Sequence, residues 1–103
     1  MAKLIYITIG SEEEAQKLGK SLVEEKLVAC VNMFPIRSIY RWKGELQEER
    51  ELAIIAKTKD ELVDRAIKRI KELHPYEVPC IVSIPIEKGN EEFLRWIAES
   101  TGG

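Results

Sequence analysis

Twice along this chain a short apolar run of strand character hands over to a hydroxyl residue, then to carboxylates, then to a helical stripe of apolar side chains. That repeated strand-to-helix switch constrains the fold more than any other feature. The first run, Leu4-Ile5-Tyr6-Ile7-Thr8-Ile9, is nearly continuous in apolar character, as a strand buried on both faces should be. Gly10 breaks it. Ser11-Glu12-Glu13-Glu14 then offers a capping box, and its three carboxylates complement the positive end of a helix dipole. Ala15, Leu18, Leu22 and Val23 follow at helical spacing, which predicts a helix over about 12–26. The second switch leaves Leu52-Ala53-Ile54-Ile55-Ala56-Lys57 through a second capping box, Thr58-Lys59-Asp60-Glu61. Leu62, Val63, Ala66, Ile67, Ile70 and Leu73 then mark an amphipathic helix that ends before Pro75.

Between the two switches lies a long hairpin. Val28 to Phe34 has strand character, and after Pro35 the pattern alternates, with Ile36, Ser38, Tyr40 and Trp42 on one face and Arg37, Ile39 and Arg41 on the other. Lys43-Gly44-Glu45 is the turn, where Gly44 can take a positive φ. The return through Glu48, Glu49, Arg50 and Glu51 is highly charged, so the tip is expected to project beyond the core. A fourth strand over 79–86 carries Pro79 and Pro85, which lack amide donors and are therefore confined to strand ends, edges or bulges. Asn90 caps a last helix carrying Phe93, Leu94, Ile97 and Ala98, and Thr101-Gly102-Gly103 reads as a loose tail. The order is β-α-β-β-α-β plus a terminal helix. Right-handed crossovers place both main helices on one face of a four-stranded sheet, the α+β, ferredoxin-like arrangement.

With 103 residues the chain is read as a single domain over 1–103, since halves would each lack a sufficient interior. Acidic residues outnumber basic ones, 18 to 16, so no basic footprint for nucleic acid is present. No apolar run is long enough to span a bilayer, and the N-terminus lacks the layout of a signal peptide. Cys30 and Cys80 are too far apart for a Cys-x-x-Cys clip and are read as reduced thiols, hence a cytoplasmic location. Charged residues make up 33% of the chain, a density that suits ion-pair networks and a thermostable protein.

The most distinctive segment is His74-Pro75-Tyr76-Glu77-Val78-Pro79, which holds the only histidine on a proline-stiffened loop. His74 and Glu77 could form part of a divalent-ion site, and Cys80, just beyond, could add a thiolate. Read structurally instead, His74 closes a helix and Cys80 is packing. Tyr40 and Trp42 could stack bases, but the acidic return strand opposes nucleic acid, and a subunit contact is the simpler reading. Lys57 could meet an anion near a helix start or pair with a carboxylate from the hairpin or the Tyr76-Glu77 loop. No phosphate loop, Ser/His/Asp set or Cys/His nucleophile pair appears, so no enzyme is expected.

Together four elements resemble the CutA family of divalent-cation-tolerance proteins. They are Ala29-Cys30-Val31-Asn32, Tyr40-Arg41-Trp42-Lys43-Gly44, Lys57-Thr58 and the His74 to Pro79 hexapeptide. The resemblance implies a ferredoxin-like protomer in a tight homotrimer, similar to the nitrogen-regulatory signalling trimers, with hairpins packing between subunits. It also implies a cytoplasmic protein linked to copper and other divalent cations; animal relatives are associated with anchoring of a membrane cholinesterase. Two departures stand out. The family often has Glu where this chain has Cys80, and a cysteine tied to metal binding in some members falls near Thr8 here. His74 and Glu77 carry over, and Cys80 is a substitute suggested by its chemistry. The resulting expectation is a non-enzymatic homotrimer that binds divalent cations, Cu(II) among them, through His74, Glu77 and Cys80 near a subunit boundary. Asn32, Tyr40, Trp42, Lys57 and Tyr76 are expected at the interface or cleft. The rival is a trimeric signalling module taking a small anionic or nucleotide ligand against Lys57, Arg41 and Tyr76. A scaffold whose protein partner supplies the function is compatible with the same residues.

Overall fold

The computed structural model describes residues 1–102; Gly103, part of the expected tail, lies outside them. Strand β1 (Ala2–Ile9) sends Ile5, Ile7 and Ile9 to one face, where all three are fully buried. Helix α1 (Glu12–Glu24) starts as expected: the Ser11 hydroxyl accepts from the Glu14 amide at 3.2 Å and donates to the Glu14 carboxylate at 3.0 Å. It stops at Glu24 because Lys26 takes a left-handed φ of 58°. The Lys26 amide then donates to the Val23 carbonyl (3.0 Å) and the Leu27 amide to the Leu22 carbonyl (3.1 Å), a Schellman closure with lysine at the position glycine usually holds.

Strands β2 (Cys30–Trp42) and β3 (Glu45–Lys59) form the long hairpin, followed by a 3-10 turn (Asp60–Leu62), α2 (Val63–Leu73), β4 (Ile81–Pro85) and α3 (Glu91–Glu99). The sheet order is β2-β3-β1-β4, every neighbour antiparallel, with β1 inserted beside β3 as the ferredoxin-like pattern requires. Ile5, Ile7, Ile9 and Ile54 from the sheet pack with Leu18 and Leu22 of α1 and Ala66 and Ile70 of α2, so one sheet face is covered by both helices. The other face is left with Phe34, Val82 and Ile84 about half exposed.

The second capping box does not form. Thr58 remains in β3, and its buried hydroxyl donates to the Leu27 carbonyl at 2.6 Å. Ladder pairing with β1 runs on to Ala2↔Lys59, so the helix can begin only afterwards, through a 3-10 turn without a side-chain cap. The buried Leu27 carbonyl needs a donor more than the exposed helix start needs a cap. Nor are Thr101 and Gly102 loose. The Thr101 hydroxyl donates to the Ile97 carbonyl (2.9 Å), Lys59 Nζ donates to the Thr101 carbonyl (3.3 Å), and the Gly102 amide donates to the Lys26 carbonyl (2.9 Å).

β1 pairs with β3 only as far as Ile9↔Leu52. From Ile36↔Glu51 to Trp42↔Glu45 the hairpin has no third strand among the described residues, and the molecule reaches 44 Å along its longest axis against 25 and 21 Å across. The ribbon closes through Lys43 (φ 49°) and Gly44 (φ 83°), a two-residue turn with both centres left-handed. Its face with Tyr40 and Trp42 positions the site.

Candidate cleft between the hairpin and the His74 loop

Where β1 ends, the sheet leaves a step beside the hairpin, and the segment after α2 fills it. His74 closes α2, its amide donating to the Ile70 carbonyl at 2.8 Å. Its ring is buried, 7% exposed. Nε2 lies 2.7 Å from the Thr8 carbonyl and Nδ1 accepts from the Tyr76 amide at 3.1 Å, the pattern of a neutral imidazole protonated at Nε2. The imidazole therefore ties the loop to β1 and fixes where Tyr76 starts. Tyr76 packs edge-on against it at 4.7 Å between ring centres. The phenol continues over Gly10, where a Cβ would sit 3.1 Å from its oxygen, and donates to Glu51 at 2.7 Å.

Glu51 is the innermost hairpin carboxylate, only 5% exposed. One turn of the pleat further out, Tyr40 donates to Glu49 across the ribbon at 2.9 Å. Two phenol–carboxylate pairs thus face one cleft of about 780 Å³, which Trp42, Glu77 and Cys80 also line. Burial, and then the bond to Glu51, raises the Tyr76 pKa above the ordinary phenol value; the bond to Glu49 raises that of Tyr40. Both rings stay protonated donors at neutral pH. At the outer rim Lys43 Nζ lies 5.6 Å from the centre of the Trp42 ring and 3.9 Å from the Glu77 carboxylate. Arg37 is a cation on the lining itself.

The expected residues fall into two groups. Tyr40, Trp42, Tyr76, Glu77 and Cys80 share the cleft, with His74 beneath it. Asn32 and Lys57 are elsewhere and engage each other, Lys57 Nζ donating to the Asn32 side-chain oxygen; the lysine's partner is an amide, not the anticipated carboxylate. Arg41 turns to the tip, donating to the Gly44 carbonyl at 3.2 Å. Cys30 is half-buried and Cys80 exposed, both free thiols. Sequence reading did not single out Glu49, Glu51 or Gly10 as site residues, and placed Lys43 only in the hairpin motif and its turn. The alternation Gln47, Glu49, Glu51 opposite Tyr40, Ser38 and Ile36 was the available signal, because a ladder puts cross-strand partners on one face.

A divalent ion needs several donors converging on one point. Among the described residues no three His, Cys, Asp or Glu side chains come together in that way. Both His74 nitrogens are engaged, so the imidazole would have to release Thr8 or Tyr76 to reach an ion. Within one chain the donors do not make a closed coordination shell.

The family model for CutA1 divalent ion tolerance protein matches residues 3–100. A divalent-cation tolerance protein CutA from Thermus thermophilus is 48% identical over 99% of this chain and 100% of its own length, and its solved structure superposes with a TM-score of 0.95. The structure described as the periplasmic divalent cation tolerance protein CutA from Archaeoglobus fulgidus is 47% identical, covering 97% of this chain and 98% of that one, again with a TM-score of 0.95. A CutA protein of Pyrococcus horikoshii is 41% identical over 95% of this chain and 96% of its own.

Proposed function

This chain belongs to the CutA1 divalent ion tolerance family, and on that premise we propose that it is a non-enzymatic homotrimer of the cytoplasm that binds divalent cations, Cu(II) among them, at sites completed between subunits. The observation that carries the reading is the pairing of an accessible thiol and carboxylate, Cys80 and Glu77, on a cleft whose own chain supplies too few donors for a closed shell. Threefold symmetry would turn each incomplete set into a shared one, with His74 either ligating after release of a hydrogen bond or holding the loop that presents the other two. The half-exposed Phe34, Val82 and Ile84 and the unsupported ribbon favour association, because such apolar area is costly to leave in water. Among the described residues no helix is long and apolar enough to cross a membrane. A small anionic ligand is disfavoured here: three carboxylates face the cleft, while Lys57 and Arg41 are engaged away from it.

Calorimetric titration with Cu(II) tests the reading. Cys80→Ser and Glu77→Gln are expected to weaken binding strongly, and equal binding by His74→Ala would remove His74 from the ligand set. Light scattering that reports a monomer at micromolar concentration would overturn the shared site. A melting temperature well below about 60 °C would count against thermostability.

A further inference from the structure

The cleft has a chemistry beyond metal donors. Three aromatic rings, Tyr40, Trp42 and Tyr76, stand with three carboxylates, Glu49, Glu51 and Glu77. Both phenols donate hydrogen bonds to carboxylates in the same cleft, at 2.9 and 2.7 Å, which makes their rings more electron-rich. Aromatic faces attract cations through their quadrupole, and they do so more strongly where water is partly excluded. The chain already displays the match. Lys43, held at the hairpin tip by a left-handed φ of 49°, brings an ammonium 5.6 Å from the Trp42 ring centre and 3.9 Å from Glu77. That ammonium sits at the rim on a side chain 71% exposed, so it blocks the cleft only loosely. Arg37 supplies one further positive charge, which leaves the carboxylates in excess. A volume of about 780 Å³ is ample for a short alkyl amine.

We propose that this cleft binds a primary alkylammonium ion of the diamine or polyamine type, seated against Trp42 and Tyr40 with its charge between Glu49 and Glu77, in the place that Lys43 partly occupies. The site accepts the ammonium by cation–π contact and by donation to the carboxylates, and rejects neutral isosteres. The site shares Glu77 with the metal ligand set proposed above, whereas Glu49, Tyr40, Trp42 and Lys43 lie outside that set.

The test is calorimetric titration of putrescine, with 1,4-butanediol as its neutral isostere, into the wild-type protein and three variants. Wild type is expected to bind the diamine saturably and not the diol. Lys43→Gln frees the position and is expected to tighten binding by about twofold to fivefold, the size of one exposed cation–π contact. Glu49→Gln keeps an acceptor for Tyr40 and is expected to weaken binding by at least as much, while Glu91→Gln, on the distant start of α3, leaves it unchanged. Equal weakening by Glu49→Gln and Glu91→Gln would reveal diffuse surface attraction and overturn the site. So would weaker binding in Lys43→Gln, or no diamine binding in either wild type or Lys43→Gln. A change of oligomeric state in Glu49→Gln without diamine binding would assign the cleft to a basic side chain of another copy, and would overturn it too. Cu(II) titration of the same variants separates the two readings: Glu49→Gln should lose diamine affinity and keep its copper response.

Discussion

The two halves of one hairpin behave as different materials. From Cys30↔Lys57 to Pro35↔Leu52 the ribbon lies against β1 and under both helices, and Ala53, Ile54 and Ala56 are all fully buried. From Ile36↔Glu51 outward the same two strands have neither neighbour nor helix, and apart from Glu51 every residue there is exposed or half-exposed. An isolated two-stranded ribbon is marginal in water. What steadies the outer half is polar: Tyr76 on Glu51 at its base and Tyr40 on Glu49 above. The comparison teaches that ladder hydrogen bonds alone do not set local stability; burial sets it in the inner half, and a pair of phenol–carboxylate bonds at the outer one.

The largest way to break the contrast is a cavity in the inner half. Ile54→Ala is expected to destabilise by about 2–5 kcal/mol, measured by denaturant unfolding, because the site is closed on all sides. Thr58→Val comes next. It leaves the buried Leu27 carbonyl without its donor and should cost about 1–3 kcal/mol. At the junction of the halves the signature is alkaline. Tyr76 holds its proton more tightly folded than unfolded, so its contribution is complete below the ordinary phenol range near pH 10 and is lost as pH rises through the higher folded value. Unfolding midpoints should therefore fall above about pH 10, and Tyr76→Phe should flatten that slope while lowering stability at neutral pH. Lys26→Gly has the opposite sign. It relieves the left-handed strain at the end of α1 and should stabilise by about 1 kcal/mol. Smallest is Ile39→Ala in the outer half, where the side chain is 69% exposed; a monomer should lose less than about 0.5 kcal/mol, and a larger loss would mean that another copy covers this face.

Where a single local rule governed a segment, the sequence was legible. Ser11 and Glu14 form the first cap because nothing else competes for them. Thr58 followed the same local rule and failed, since the competing acceptor, Leu27, is 31 positions away in the chain and meets Thr58 only after the sheet has formed. The hexapeptide was readable as special, but not the reason for it. His74 spends both nitrogens on the backbone, at Thr8 and Tyr76, and no periodicity reports that. Likewise the alternation of Glu49 and Glu51 was visible, whereas their meeting with Tyr40 and Tyr76 depends on where β1 stops.

The element order, the sheet and the overhanging ribbon were determined by the sequence alone, because apolar periodicity and turn chemistry act over a few residues and each is satisfied nearly independently of the rest. Tertiary structure alone decided the occupants of the cleft and the partners of its polar groups. Hydrogen bonds and charge contacts between distant segments exist only once burial has brought them together, and a buried donor takes the acceptor that would otherwise go unpaired.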